Sequence, residues 1–116
     1  MYKRQHLDTY HMNIEENNIG DAIRLVGKRL RHFHTGENNR NIPGRGHLDW
    51  DEIFLALKQI EYSRNIVSEP FLMMGDEVVY DIRVWRPMVL DCSESSLDKA
   101  SAELLDFKKK ILKKYP

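Results

Sequence analysis

Leu30-Arg31-His32-Phe33-His34-Thr35, then Gly36-Glu37-Asn38-Asn39-Arg40-Asn41-Ile42-Pro43-Gly44-Arg45-Gly46, then Asp49-Trp50-Asp51-Glu52-Ile53-Phe54: this run decides the fold class. In the first six residues apolar Leu30 and Phe33 are set against polar positions, with His32 and His34 flanking Phe33, which reads as a strand. The next eleven hold three glycines and a proline, residues that permit positive φ or fix φ, so they form a long loop. Long loops often carry function. Asp49 then offers an N-cap oxygen with Glu52 in capping-box position. Trp50, Ile53, Phe54, Leu57 and Ile60 mark the apolar face of a helix.

Working outward, Ile19, Ala22, Ile23, Val26 and Leu30 fall on one helical face, predicting a helix over 19–30. Arg4 to Met12 is rich in strand formers and runs into the polar Asn13-Ile14-Glu15-Glu16-Asn17-Asn18, so a strand entering a loop is expected. Downstream, residues 65–71 read as a third strand, stopped by Pro70, which has no N–H to donate to a ladder. An irregular segment follows. Leu97, Ala100, Leu104, Phe107 and Ile111, after Ser95 and Asp98, then predict a closing helix. Strands separated by helices are the pattern of parallel βα units. Three such units cannot close an eight-stranded barrel, which typically needs about 250 residues.

The composition fits one small α/β unit. Lys plus Arg number 18 and Asp plus Glu number 18 in 116 residues, so the formal net charge is zero, and 41% of the residues are hydrophobic. That is enough apolar material for a core and argues against disorder. Charge balance argues against a dedicated nucleic-acid binder. No apolar run approaches the ~18 residues of a membrane span, and Met1-Tyr2-Lys3-Arg4 leads into no apolar signal region. A cytoplasmic chain without membrane contact is expected. Cys92 is the single cysteine, which leaves no intrachain disulfide or CxxC site, and it is given no role. Lys108, Lys109, Lys110, Lys113 and Lys114 read as a solvated helix end that complements the dipole. Met73 and Met74 read as loop or packing residues.

Each predicted strand places an ionisable group at or near its C-terminal end: Asp8 and His11, then His32 and His34, then Glu69. In parallel α/β folds that end is where sites form. Carboxylates and imidazoles without sulfur suit Mn²⁺, Mg²⁺, Co²⁺ or Zn²⁺. Taken singly, a strand histidine also reads as a hydrogen-bonded core residue, and a Glu before a Pro as an exposed one.

Leu7-Asp8-Thr9-Tyr10-His11-Met12-Asn13-Ile14-Glu15-Glu16, His32-Phe33-His34-Thr35-Gly36-Glu37-Asn38-Asn39-Arg40, Pro43-Gly44-Arg45-Gly46 and Glu69-Pro70-Phe71 resemble the D-tagatose 3-epimerase and D-psicose (allulose) 3-epimerase family. The likeness runs from about Leu7 to Trp85-Arg86. The resemblance implies a xylose isomerase-like (β/α)₈ TIM barrel, of which these residues form the last three βα units. It implies a divalent cation, Mn²⁺ first and Co²⁺ or Mg²⁺ as alternatives, held by Asp8, His34 and Glu69. It further implies that Glu69 is a catalytic acid/base and that His11 and Arg40 contact the ketose. His32 matches no ligand of the family and is read as structural; Trp50 is read as helix core.

Epimerising C3 of a ketose removes a weakly acidic proton beside a carbonyl and returns it to the opposite face, so two bases are needed. The family's other Glu, which is both ligand and base, belongs to a strand that would lie before Met1. The chain alone is therefore expected to be weak or inactive. A single partial barrel domain over residues 1–116 also leaves an inner sheet face and a strand edge uncovered. A homo-oligomer or completion by a partner chain is expected. The alternative reading is a catalytically silent, self-associating remnant.

Overall fold

The computed structural model describes residues 3–72, 77–89 and 91–116. Met73 and Met74 lie outside the described residues. Strands β1 (Gln5–Asp8), β2 (Leu30–Thr35) and β3 (Ile66–Ser68) pair in parallel in the order β1-β2-β3. The helices among the described residues are α1 (Thr9–Glu15), α2 (Ile19–Val26), α3 (Trp50–Gln59), α4 (Glu77–Asp81) and α5 (Glu94–Lys114). The α/β reading of three parallel strands joined by helices holds: this is an open section of a TIM barrel, with β1 and β3 at its edges among the described residues.

Several boundaries move. The strand expected over residues 4–12 stops at Asp8, because the Asp8 carboxylate accepts the Tyr10 and His11 backbone N–H groups and caps α1 at once. The loop expected from Asn13 therefore begins only after Glu15. The helix expected over 19–30 ends at Val26, where Gly27 takes a φ of 55°, a conformation that costs glycine little. A 3₁₀ turn over Gly27–Arg29 follows, which frees Leu30 to open β2. The third strand shortens to Ile66–Ser68, and the irregular segment contains α4. Asp49 caps α3 as expected by accepting the Glu52 N–H, and Ser93 caps α5 by accepting the Ser96 N–H.

The sheet register places the site. Leu7 lies opposite Phe33 on the neighbouring strand, His6 opposite His32, and Asp8 opposite His34. Because side chains alternate along a strand, Leu7 and Phe33 point to the helices while His6, Asp8, His32 and His34 share the other face. Phe33 is fully buried in a core with Ile23, Leu30, Trp50, Ile53, Phe54, Leu57 and Ile111. Each such side chain contributes about 1.5–3 kcal/mol on burial.

Helix α5 closes this core from one side and is tied to the rest by polar contacts. Lys114 Nζ lies 2.7 Å from Asp51 Oδ1, and the Tyr115 hydroxyl donates to the same oxygen at 3.0 Å. Lys108 departs from the solvated lysine end: it is part-buried and donates to the Ile66 carbonyl at 3.0 Å, and burial pushes its pKa down.

Candidate metal centre

The tips of the three strands are held together by hydroxyls where the backbone ladder runs out. The Thr9 hydroxyl, fully buried, donates to the Gly36 carbonyl at 2.6 Å and accepts the Gly36 N–H at 2.9 Å. The Thr35 hydroxyl bonds to the Val67 carbonyl at 3.2 Å and to Ser68 Oγ at 2.7 Å. The Glu69 N–H donates to the Thr35 carbonyl at 3.1 Å. Buried backbone groups need such partners, and supplying them here fixes the residues that launch each loop.

On this platform Asp8, His34 and Glu69 converge. His34 Nδ1 lies 3.7 Å from Asp8 Oδ2 and 3.4 Å from Glu69 Oε2. One ligand atom from each lies within 4.8 Å of the others. The two Asp8 oxygens divide the work: Oδ1 accepts the Tyr10 N–H at 2.9 Å, while Oδ2 faces His34. The 3.7 Å separation is too long for a hydrogen bond, yet the spacing suits donors that share one cation. Two carboxylate oxygens and one imidazole nitrogen form a set that fits a hard or borderline divalent ion.

His11, on the first turns of α1, lines the same cavity of about 510 Å³, together with Asp8, His34 and Glu69. Arg40 does not join them. It lines a neighbouring cavity of about 330 Å³ with Tyr10, Asn38 and Trp85. Its guanidinium stacks over the Tyr10 ring at 3.5 Å and stands 4.9 Å from the Phe71 ring. Arg40 has a φ of 65°, a left-handed conformation that costs a non-glycine residue about 1–2 kcal/mol. Its N–H donates to the Glu37 carbonyl, and its own carbonyl accepts the Phe71 N–H, both at 3.0 Å, which holds it there. Tyr10 lines the Arg40 cavity, and the next residue, His11, lines the other.

Glu37, to which the sequence reading gave no role, and His32, which it read as structural, both matter here. Glu37 is completely buried, and both its oxygens are saturated. Oε1 accepts the Asn38 and Leu48 N–H groups at 3.1 Å, and Oε2 accepts the Gly44 N–H and the Trp50 indole N–H at 2.8 Å. The loop that carries Arg40 is therefore folded around one carboxylate. No periodicity marks such a residue; the only hint is that a long loop must satisfy its own buried N–H groups. Trp50 is helix core as expected, with an additional polar tether. His32 is the second: its Nε2 lies 2.9 Å from His34 Nε2. The strand alternation that puts His32 and His34 on one face was visible, but not the contact. His6 joins them, and burial, then the His34 and His32 rings, push its pKa below the ordinary imidazole value.

Residues 5–88 match the family described as xylose isomerase-like TIM barrel. The chain belongs to this family. Within it, the chain is 52% identical over 101 residues, 87% of its length, to a D-psicose 3-epimerase of Enterocloster bolteae, covering 34% of that protein. It is 49% identical over 106 residues, 91% of its length, to a D-psicose 3-epimerase of Ruminiclostridium cellulolyticum, covering 36% of that protein. The crystal structure of a D-psicose 3-epimerase in the presence of D-fructose superposes with a TM-score of 0.87 at 44% identity, over 94% of this chain and 38% of that one. The chain thus spans about a third of the length of the curated family members it matches. No helix among the described residues is long and apolar enough to cross a membrane.

Proposed function

We propose that these residues supply the metal-holding part, and one of the two proton-transferring groups, of a metal-dependent ketose 3-epimerase site. Asp8, His34 and Glu69 hold a divalent cation, Mn²⁺ in the first instance, with Co²⁺ and Mg²⁺ as alternatives. When bound, the cation supplies Lewis acidity toward the oxygens of a ketose and a template that orients the sugar. Glu69, about half exposed on its side chain, carries the C3 proton to or from the sugar. His11, on the wall of the same cavity, donates to a sugar hydroxyl. Arg40 reaches the far end of the sugar from the neighbouring cavity. The base for the opposite face, and the strands that cover the imidazole-bearing sheet face, come from outside these 116 residues: from further chain, a partner chain or a second copy.

The convergence of Asp8, His34 and Glu69 on one point at the strand tips carries this reading, and the identity to D-psicose 3-epimerases supports the substrate class. Saturation-transfer NMR of D-psicose with the Mg²⁺-loaded chain tests it. Transfer to the sugar is expected with Mg²⁺, is lost on addition of EDTA, and is weakened in His11→Ala. Absence of transfer at millimolar sugar, or transfer indifferent to EDTA, contradicts it. Inversion at C3 by the monomeric chain contradicts the placement of the second base elsewhere.

A further inference from the structure

We propose that His6, His32 and His34 form a second, nitrogen-only cation site, which shares His34 with the carboxylate cluster and takes a borderline ion of the Zn²⁺, Cu²⁺ or Ni²⁺ class. The register of the parallel strands builds it. His6 and His32 are partners on β1 and β2, one alternation below the Asp8–His34 pair, so all three imidazoles lie on one sheet face. Their ring centroids are 4.4, 4.8 and 5.1 Å apart, with the rings edge to face. One nitrogen from each ring lies within 4.8 Å of the others. The His32 and His34 Nε2 atoms lie 2.9 Å apart, within hydrogen-bond distance, so a cation that takes both displaces the proton they share.

The donor chemistry separates this set from its neighbour. Three neutral imidazoles and no carboxylate suit Zn²⁺, Cu²⁺ or Ni²⁺, whereas Mn²⁺ and Mg²⁺ favour oxygen and stand low in the affinity order for nitrogen ligands. His34 uses different atoms toward the two clusters: Nδ1 faces Asp8 and Glu69, and Nε2 faces His32. A neutral imidazole has one N–H and one lone pair. Without losing its remaining proton it therefore serves one cluster at a time, and the two sites compete through the tautomer of a single ring. Occupation of one weakens the other reciprocally.

A simpler role for His32, accepting the His34 N–H so as to orient a ligand, does not involve His6. His6→Gln is therefore the deciding variant, and because His6 is exposed in this chain it leaves the core untouched. Calorimetric titration of the metal-stripped chain with Zn²⁺ and with Mn²⁺, alongside EPR of the Cu²⁺-loaded chain, makes the test. His6→Gln and His32→Gln are each expected to weaken Zn²⁺ binding at least about tenfold and to reduce the nitrogen splitting in the Cu²⁺ spectrum. In the same titrations Glu69→Gln is expected to weaken Zn²⁺ binding less than His6→Gln does, and Zn²⁺ raises the apparent Mn²⁺ dissociation constant. Zn²⁺ affinity indifferent to His6→Gln, or dependent on Glu69 in place of His6, overturns the proposal. The competition arm rests on the carboxylate reading. Its failure is distinguishable: Zn²⁺ binding that needs His6, with no Mn²⁺ binding at all, retains the nitrogen site and removes the other.

Discussion

The loop after β2 and the segment after β3 contribute side chains to the same cavity, Arg40 from one and Trp85 from the other, yet they are held in different ways. The first, residues 36–48, is folded around the buried Glu37 carboxylate, which satisfies four donors drawn from its start, middle, end and the following helix. The second, over residues 77–89, is closed by backbone bonds within itself: Ile82 to Val78, Arg83 to Tyr80 and Val84 to Val79. It anchors only Val79 and Val84 and leaves Val78, Tyr80 and Trp85 half or more exposed. Each segment carries an arginine in the left-handed region, Arg40 at 65° and Arg83 at 62°. A buried polar hub turns the first loop into a fixed mount for a functional side chain. The second holds itself by its own backbone and leaves apolar side chains exposed.

The largest effect expected from this contrast is at Glu37. Glu37→Ala leaves four donors without their acceptor and should lower the unfolding free energy by about 3–5 kcal/mol, or prevent folding. Glu37→Gln, which keeps one acceptor, should cost less. Urea titration followed by Trp fluorescence measures both, and a loss under about 1 kcal/mol for Glu37→Ala removes the hub from the account. Thr9→Val comes next, at about 2 kcal/mol, since it keeps the shape and strips Gly36 of both its partners. Gly46→Ala follows at about 1–3 kcal/mol, because a Cβ there collides with Glu37 and Asn38. At the other extreme, Trp85→Ala in the second segment should change stability by no more than about 0.5 kcal/mol, as Trp85 is 62% exposed. A large loss at Trp85 would show that this segment too is a structural mount.

The same contrast explains what the sequence revealed. β2 and α3 were readable because alternation around Phe33 and the Asp49 cap are local signals, and the βα order followed from them. That Asp8, His34 and Glu69 lie at or beside strand ends was readable for the same reason, but spacing set His11 and His32 beside them, and the choice of the three came from the family resemblance. Helix α1 was not readable, because Thr9 and Tyr10 favour strands. It exists because Asp8, read only as a site residue, also caps the helix that follows. Glu37 was hidden because its partners are brought close by folding, eleven or more residues away for Leu48 and Trp50. The His32–His34 contact, between residues two apart on one strand face, was hidden because alternation gives the shared face and not the turn of the rings that brings their nitrogens together. Arg40 was found on its loop, but its stacking on Tyr10, which puts it in a neighbouring cavity, leaves no trace in sequence spacing.

The central claim is that Asp8, His34 and Glu69 hold one cation at the strand tips. Calorimetric titration of the metal-stripped chain with Mn²⁺, repeated for Asp8→Asn and Glu69→Gln, tests it most directly. Asp8→Asn is informative because asparagine keeps the cap of α1 while removing the ligand charge, so a lost cap cannot account for lost binding. The account predicts one ion per chain, or one per two chains if copies share the site, and an affinity at least about tenfold weaker in each variant. No Mn²⁺ binding, or binding of equal strength in both variants, would contradict it.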